Sequence, residues 1–190
     1  MGLLLNTLSP AVLYEEMAKS TYFVDKTAFI GQMLQRIETN GKYVCITRPR
    51  RFGKTVMANM LGAFLTKSAA TKKLFAQLTI GRDAEAMQHI NQYNVIYIDF
   101  SRISSNDYQS YIDNIADALK NDLHKAYPDV DYRAAGGVAE DLERITAATG
   151  ERFIFIFDEW DAIFHATFIS EDDRKKYLLF LKDLLKDRVY

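Results

Sequence analysis

A short basic segment between two apolar stretches constrains the fold of this chain more than any other feature. The run YVCIT at 43–47 precedes the loop RPRRFGKT at 48–55, and VMANML at 56–61 follows it. This order predicts a strand, a tight loop and a helix. The N–H groups of such a loop and of the first helical turn point outward and can surround a polyphosphate. The segment therefore predicts a phosphate-binding P-loop.

The loop contains the residue types that such a site needs. Gly53 lets the backbone approach the phosphates, Lys54 reaches the β and γ oxygens, and the Thr55 hydroxyl binds Mg²⁺. The usual pattern is G-x-x-x-x-G-K-[ST], and Arg48 stands here in place of its first glycine. An ordinary basic loop that caps a helix is the alternative interpretation of this segment taken alone.

The predicted nucleotide contacts form one continuous run in the loop and the start of the helix. They are Arg50, Arg51, Phe52, Gly53, Lys54, Thr55 and Val56. The two arginines would add positive charge near the γ-phosphate. They are equally well explained as solvated loop side chains.

A second motif, FIFIFDEWD at 153–161, supports the same chemistry. Its five apolar residues predict a strand that is buried on both faces, as in parallel sheets. Two carboxylates follow where open α/β sheets bind ligands. Asp158 is the predicted Mg²⁺ ligand, and Glu159 is the predicted catalytic residue that polarises the attacking water. A buried strand ending in a polar turn is the alternative, but it does not account for a GKT loop upstream.

The rest of the chain alternates between strand and helix patterns. A further strand is predicted at 94–100. Helices are predicted at 10–19, 26–39 (capped by Asp25), 68–91, 106–127 and 138–149, and from a capping box of Ser170 and Asp173 onward. This alternation predicts a parallel α/β sheet with right-handed crossovers. Asp99 ends the strand at 94–100, and a carboxylate in that position is commonplace.

Composition limits the other function classes. The chain has 190 residues, 48% of them apolar, and reads as one globular domain. Its 24 basic and 25 acidic residues give no support for binding to nucleic acid or membranes. Cys45, the single cysteine, is expected to be buried in the first strand, and one thiol suits a reducing cytoplasm. No signal peptide or transmembrane span is recognised.

Four segments together resemble the predicted AAA-ATPase-like family. They are YFVDKT at 22–27, TRPRRFGKT at 47–55, VIYIDFS at 95–101 and FIFIFDEWD at 153–161, and the resemblance covers nearly all of the chain. Arg-Pro-Arg-Arg-Phe-Gly-Lys-(Ser/Thr) is that family's own form of the loop, so the resemblance explains the missing first glycine. In this family the ATPase region is typically followed by a restriction-endonuclease-like domain.

The resemblance implies a three-layer P-loop NTPase sheet, parallel, with helices on both faces. A helical lead-in would cover about 1–40 and the nucleotide-binding core about 41–190. Such a fold has a sensor strand after the second motif, so the sheet is expected to be incomplete at the C-terminus. Unpaired edges at 43–47 and 153–157 would then favour self-association or pairing with a missing C-terminal region.

The sequence favours an ATP-binding protein that hydrolyses ATP with Mg²⁺ to drive an unidentified process. The alternative is a nucleotide-binding switch or interaction module whose hydrolysis in this form is negligible. Nucleic-acid binding through the loop arginines is a weaker hypothesis, because a nucleotide explains the same charges.

Overall fold

The computed structural model describes residues 2–37, 39–47, 49 and 51–185, which form two compact units. The N-terminal unit comprises Asn6–Val95, and the C-terminal unit comprises Met1–Leu5 with Ile96–Tyr190. The class is mixed α/β, as the sequence predicts.

The helices and strands have the following bounds. The N-terminal unit contains α1 (Ser9–Ala18), α2 (Ala28–Leu34), α3 (Lys54–Leu65) and α4 (Lys72–Ala76). Strand β1 (Asn94–Asp99) follows, and then come α5 (Tyr108–Ala126), α6 (Val138–Thr149), β2 (Phe153–Asp158) and α7 (Glu171–Leu185). Short 3₁₀ turns lie at Thr79–Arg82, Ala86–Gln88, Phe100–Arg102 and Ala162–His165. None of the described helices combines the length and apolar character needed to cross a bilayer.

The sheet of the C-terminal unit consists of β1 paired in parallel with β2. The first residues of the chain extend it, because Leu5 forms an antiparallel bridge with Ile96 and the Tyr97 N–H donates to Leu4 O at 3.0 Å. Asp122 of α5 accepts the N–H groups of Leu4 (2.7 Å) and Leu5 (3.0 Å). Bonds from backbone N–H groups to a carboxylate are comparatively strong, so they fix the start of the chain to α5.

The core of this unit is formed by apolar stripes on the helices and by inward-facing strand residues. On α5 the stripe has a spacing of four residues, which keeps it on one helical face. The fully or almost fully buried residues of this core include Ile98 of β1, Tyr111, Ile115 and Leu119 of α5, Leu142 and Ile145 of α6, and Tyr177 of α7. The predicted capping box of α7 is confirmed, since the Asp173 N–H donates to Ser170 Oγ at 3.1 Å and the Ser170 N–H donates to Asp173 Oδ2 at 3.2 Å.

The core of the N-terminal unit is built on α1, α3 and α4. The rings of Tyr14 and Phe75 stack with centroids 5.5 Å apart, and Phe64 meets Phe75 edge-on at 5.1 Å. The end of α3 is capped by Asn91, whose side-chain NH₂ donates to the carbonyl oxygens of Ala63, Phe64 and Thr66. These bonds satisfy carbonyl groups that a helix C-terminus leaves without partners.

The strand predicted for residues 43–47 is wrong. The segment is irregular, with Tyr43 58% and Val44 44% exposed, and Cys45 is exposed where burial was expected. A short apolar run becomes a strand when a neighbour supplies hydrogen bonds and a buried face, and none of the described strands pairs with it. Self-association was expected partly because a strand at 43–47 would have an unpaired edge. Since 43–47 is not a strand, this argument for self-association no longer holds.

The expected three-layer sheet is therefore not present in the part of the chain that the structure describes. There the sheet comprises β1 and β2, which confirm the strands predicted at 94–100 and 153–157. The sequence predicts that the loop with the proposed phosphate contacts follows a sheet strand, and without a strand at 43–47 it does not.

The long helix predicted over 68–91 is also wrong. Only α4, five residues long, is helical, and two 3₁₀ turns follow it. Ala70 has a left-handed backbone with φ 49°, which no α-helix contains. A Cβ at Gly81 would lie 2.5 Å from Ala76 O, so the chain doubles back on α4 where only glycine fits.

One carboxylate joins the loop before α2 to the 3₁₀ turn at Thr79–Arg82. Asp25 accepts the N–H (2.8 Å) and hydroxyl (2.6 Å) of Thr27, and the N–H (2.6 Å) and hydroxyl (2.7 Å) of Thr79. Partial burial would raise the pKa of Asp25, but these hydrogen bonds outweigh it and lower the pKa to about 2. Asp25 therefore links two segments of the unit, and it does not cap α2, which begins at Ala28 after Thr27.

We expect Asp25→Ala to lower the free energy of unfolding by about 1–3 kcal/mol, because four donors lose a charged acceptor that solvent partly screens. The pKa of Asp25 is depressed in the folded protein, so its contribution is present above about pH 4 and is lost as the pH falls toward 2. Urea denaturation of parent and variant at pH 7 and pH 2.5 measures both effects. Asp129→Ala, at an exposed loop position, is the control. Equal stability of Asp25→Ala and the parent at pH 7 would contradict the assignment.

Candidate functional site

The turn before α3 depends on two residues with a left-handed backbone. Gly53 is the N-cap of α3 and has φ 78° and ψ 28°, and Arg51 has φ 68°. A side chain at Gly53 would be strained, because L-residues rarely adopt this conformation. The Met57 N–H donates to Gly53 O at 3.0 Å, so the helix begins directly after the glycine. The tight turn and the helix of the predicted loop are thus present, although its strand is not.

The other residues predicted to contact a nucleotide lie around the start of α3. Phe52 is 58% exposed and Thr55 is exposed, whereas Lys54 and Val56 are half-buried. The predicted contact Arg50 lies outside the described residues, as does Arg48. The first N–H groups of any α-helix have no partner within the helix and favour anions. The start of α3 therefore has the groups that a phosphate needs, and phosphate binding there stays a prediction.

Strand β2 ends at the first of the two predicted carboxylates. Phe153, Ile156 and Asp158 are buried and the other strand residues are half-buried, so the expectation of burial on both faces is met only in part. Asp158 is 5% exposed, and its Oδ1 accepts the N–H of Glu159 at 3.1 Å. Burying a carboxylate is costly unless hydrogen bonds or charges compensate, which makes Asp158 a candidate for a specific role.

Glu159 leaves β2 in a conformation that non-glycine residues seldom adopt. Its φ is 48° and its side chain is exposed. The turn is held by the Ala162 N–H, which donates to Glu159 O at 2.8 Å, and by the Tyr177 hydroxyl, which donates to Trp160 O at 2.6 Å. Backbone strain of this kind costs roughly 1–3 kcal/mol and is concentrated at functional sites. The turn places the Glu159 carboxylate in solvent, directly after the buried Asp158.

We expect Glu159→Gly to raise the free energy of unfolding by about 0.5–1 kcal/mol, because relief of strain exceeds the backbone entropy that glycine loses on folding. Chemical denaturation measures the change. Asp161→Gly is the matched control, since Asp161 has φ −91° and gains nothing from glycine. A loss of stability in Glu159→Gly as large as that in Asp161→Gly would show that the turn at Glu159 is not strained.

The end of β1 contributes a third carboxylate with a structural role. Asp99 accepts the N–H (3.1 Å) and hydroxyl (2.6 Å) of Ser101 and pairs with Arg102 Nε at 2.9 Å. It thereby caps the 3₁₀ turn that follows β1. Burial, and then the negative charges of Asp158 and Asp99, raise the pKa of Tyr97, so its hydroxyl keeps its proton at neutral pH. Tyr97 stands two residues before Asp99, so both side chains lie on one face of the strand.

The residues predicted to bind Mg²⁺ have suitable chemistry. The Thr55 hydroxyl and the Asp158 carboxylate offer hard oxygen ligands, which Mg²⁺ prefers. In the described ranges, His, Cys, Asp and Glu side chains form no group of three or more that could hold a metal ion. Mg²⁺ at a nucleotide takes one or two protein ligands and completes its shell with phosphate oxygens and water. Binding of Mg²⁺ by Thr55 and Asp158 stays a prediction.

The predicted site residues are divided between the two compact units. The loop residues Arg51 to Val56 belong to the N-terminal unit, whereas Asp158 and Glu159 belong to the C-terminal unit. The structure thus groups the loop residues with one another and the two carboxylates with each other. That both groups act on one nucleotide stays a prediction.

Comparison with known proteins gives a family match over most of the chain. The model of a family described as predicted AAA-ATPase matches residues 13–188. An uncharacterized protein in the vnfD 5′ region of Azotobacter chroococcum mcd 1 is 29% identical over 143 residues, which cover 74% of this chain and 25% of that protein. The chain thus spans about a quarter of the length of this curated relative. No solved structure shows a significant match.

Proposed function

Because the chain belongs to the predicted AAA-ATPase family, we propose that it binds ATP and hydrolyses it in the presence of Mg²⁺. The observation that carries the proposal is the left-handed Gly53 turn at the start of α3, with Lys54 as the first helical residue. Such a turn combines a helix N-terminus with a nearby ammonium group, and both favour a polyphosphate.

In this proposal the N-terminal unit holds the phosphates. The Lys54 ammonium and the N–H groups of the loop donate charge-assisted hydrogen bonds to the β- and γ-phosphate oxygens. Arg50 and Arg51 add positive charge near the γ-phosphate. Phe52 and Val56, which flank these groups in the sequence, complete the proposed nucleotide contacts.

The C-terminal unit supplies the chemistry of hydrolysis. Asp158, with Thr55 from the loop, would hold Mg²⁺, which when bound neutralises charge that develops on the β- and γ-phosphates. Glu159 accepts a proton from the attacking water as general base, and its exposed position in the strained turn leaves it accessible to that water. Positioning and charge stabilisation then account for most of the rate.

A nucleotide-binding switch with negligible hydrolysis is the second candidate. The observation in its favour is that the loop lies wholly in one unit and the carboxylates lie in the other. Phosphate binding by the loop therefore does not by itself require that Asp158 and Glu159 take part.

Two measurements on the parent protein decide between these functions. Calorimetric titration with ATP and Mg²⁺ measures binding, and steady-state phosphate release measures hydrolysis. Saturable binding with phosphate release supports the ATPase, whereas saturable binding without release supports the switch. Absence of binding in the titration would contradict both.

A cytoplasmic location belongs to the same proposal. ATP and Mg²⁺ are available there, and an exposed thiol such as that of Cys45 stays reduced in that compartment.

A further inference from the structure

A pocket of about 130 Å³ lies beside the Gly53 turn, within the N-terminal unit. Its walls come from α1, from the loop before α2 and from the first two turns of α3. The lining residues that matter here are Tyr14, Phe23, Lys26, Gly53, Met57 and Met60.

The walls of the pocket are mainly apolar and aromatic. Stacking on Phe75, with ring planes 11° apart, fixes the ring of Tyr14, and Phe23 packs edge-on against it at 6.1 Å. Met57 and Met60 line the side formed by α3, and methionine adapts its shape readily to a flat ring. Such walls suit an aromatic heterocycle.

One buried polar group in this lining lacks a partner. Tyr14 is 1% exposed, and its hydroxyl makes no hydrogen bond within the described part of the chain. Burial, and then the charge of Asp25, raise the pKa of Tyr14, so the hydroxyl remains a donor at neutral pH. A buried hydroxyl without a partner is unfavourable and rare, so a ligand that reaches the Tyr14 hydroxyl would use a donor that the unliganded protein leaves unsatisfied.

A cation lies where this pocket meets the phosphate-binding turn. The Lys26 ammonium is 3.8 Å from the position that a Cβ on Gly53 would occupy. The residues on either side of Lys26 are joined to each other, because the Asp25 carboxylate accepts hydrogen bonds from the N–H and the hydroxyl of Thr27. These bonds fix the backbone at Lys26. The side chain is exposed, and none of the described carboxylates forms an ion pair with it.

We infer that this pocket binds the base of the same nucleotide whose phosphates bind at the Gly53 turn. The Tyr14 hydroxyl donates a hydrogen bond to a nitrogen or oxygen of the base, and Lys26 contacts a phosphate as a second cation beside Lys54. The inference rests on the proposed function, because it needs a nucleotide at this loop. The apolar walls of the pocket and the Tyr14 hydroxyl match an aromatic heterocycle. The Lys26 ammonium at the edge of the pocket matches the polyphosphate that this heterocycle carries.

Titrations with ATP and with inorganic tripolyphosphate separate the base from the phosphates. In the parent, ATP should bind more tightly than tripolyphosphate. Tyr14→Phe should weaken ATP binding roughly three- to tenfold, the effect of one neutral hydrogen bond, and leave tripolyphosphate binding unchanged. Met57→Trp, which fills the pocket, should reduce ATP affinity to that of tripolyphosphate. Lys26→Gln should weaken both ligands.

Two matched controls accompany these variants. Tyr43→Phe removes a hydroxyl from a side chain that is 58% exposed and does not line the pocket, and it should leave ATP affinity unchanged. Lys73→Gln removes a charge from an exposed position on α4 and should affect neither ligand. Tyr14→Phe should also raise the melting temperature of the unliganded protein by about 2–4 °C, because an unpartnered hydroxyl is removed.

The outcomes distinguish this inference from the proposed function. If tripolyphosphate and ATP bind equally, or if ATP affinity is insensitive to Tyr14→Phe and Met57→Trp, the loop binds phosphate and the pocket inference is wrong. If neither ligand binds the parent, the proposed function fails and the inference fails with it. Weaker ATP binding in Tyr14→Phe and Met57→Trp, with tripolyphosphate unchanged, supports both.

Discussion

Lys54→Ala should weaken ATP binding by roughly 100-fold or more, because the lysine provides charge-assisted hydrogen bonds to two phosphates that alanine cannot replace. The fold should remain intact, since Lys54 is half-buried at the start of α3 and alanine is the strongest helix former. Calorimetric titration with ATP and Mg²⁺ measures the affinity, and circular dichroism confirms the helix content.

The control for this variant is Lys73→Ala, at an exposed position on α4 of the same unit. It removes the same charge without touching the loop, so ATP affinity should stay that of the parent. If Lys54→Ala binds ATP as tightly as the parent, Lys54 does not bind phosphate, and the loop is an ordinary basic turn.

Glu159→Gln should reduce any ATP hydrolysis by roughly 10²–10⁴-fold, because the amide keeps the size of the carboxylate but cannot accept a proton from water. ATP affinity should be retained, since the residues proposed to bind the phosphates lie in the N-terminal unit. Steady-state phosphate release and calorimetric titration of the same preparation measure the two effects.

Asp161→Asn is the matched control, because it removes another exposed carboxylate two residues along the same turn. Its turnover should equal that of the parent. Unchanged turnover in Glu159→Gln would assign the chemistry to another residue. A parent that binds ATP without turnover would favour the switch.

The C-terminal unit was predictable because its signals are local. A run of β-branched and aromatic residues at 153–157 and the capping box at Ser170 fix their elements with little help from the rest of the chain. The positive φ of Glu159 was not predictable, since no sequence pattern marks a strained glutamate.

The segment at 43–47 shows where such local reasoning fails. YVCIT has the composition of a strand, but a strand also needs a partner, and composition does not provide one. In the same way, alanine-rich residues at 68–91 predict a helix by propensity, whereas the hydrogen bonds between Asp25 and Thr79 hold part of the segment in a 3₁₀ turn. At 43–47 a local preference for strand lacks a pairing partner among the described strands, and at 68–91 a contact distant in sequence overrides a local preference for helix.

The loop itself was half predictable. The glycine and lysine before a helix-forming stretch placed the turn and the start of α3 correctly. The pocket beside the turn was not foreseen, because Tyr14 and Met57 lie more than 40 positions apart in sequence and meet only in the folded unit. Tyr22 and Phe23 were the one local sequence signal for this pocket. In the sequence they stood out only as part of the motif YFVDKT, which resembles the family.

Hydrogen–deuterium exchange, measured peptide by peptide with and without ATP and Mg²⁺, shows whether the backbone of the Gly53 turn binds the nucleotide. If the N–H groups of the Gly53 turn bind phosphate, exchange should slow in the peptide covering residues 51–57 at saturating ATP. Lys54→Ala at the same ATP concentration should show no such slowing. Saturation with ATP that leaves exchange at 51–57 unchanged would contradict nucleotide binding by this loop.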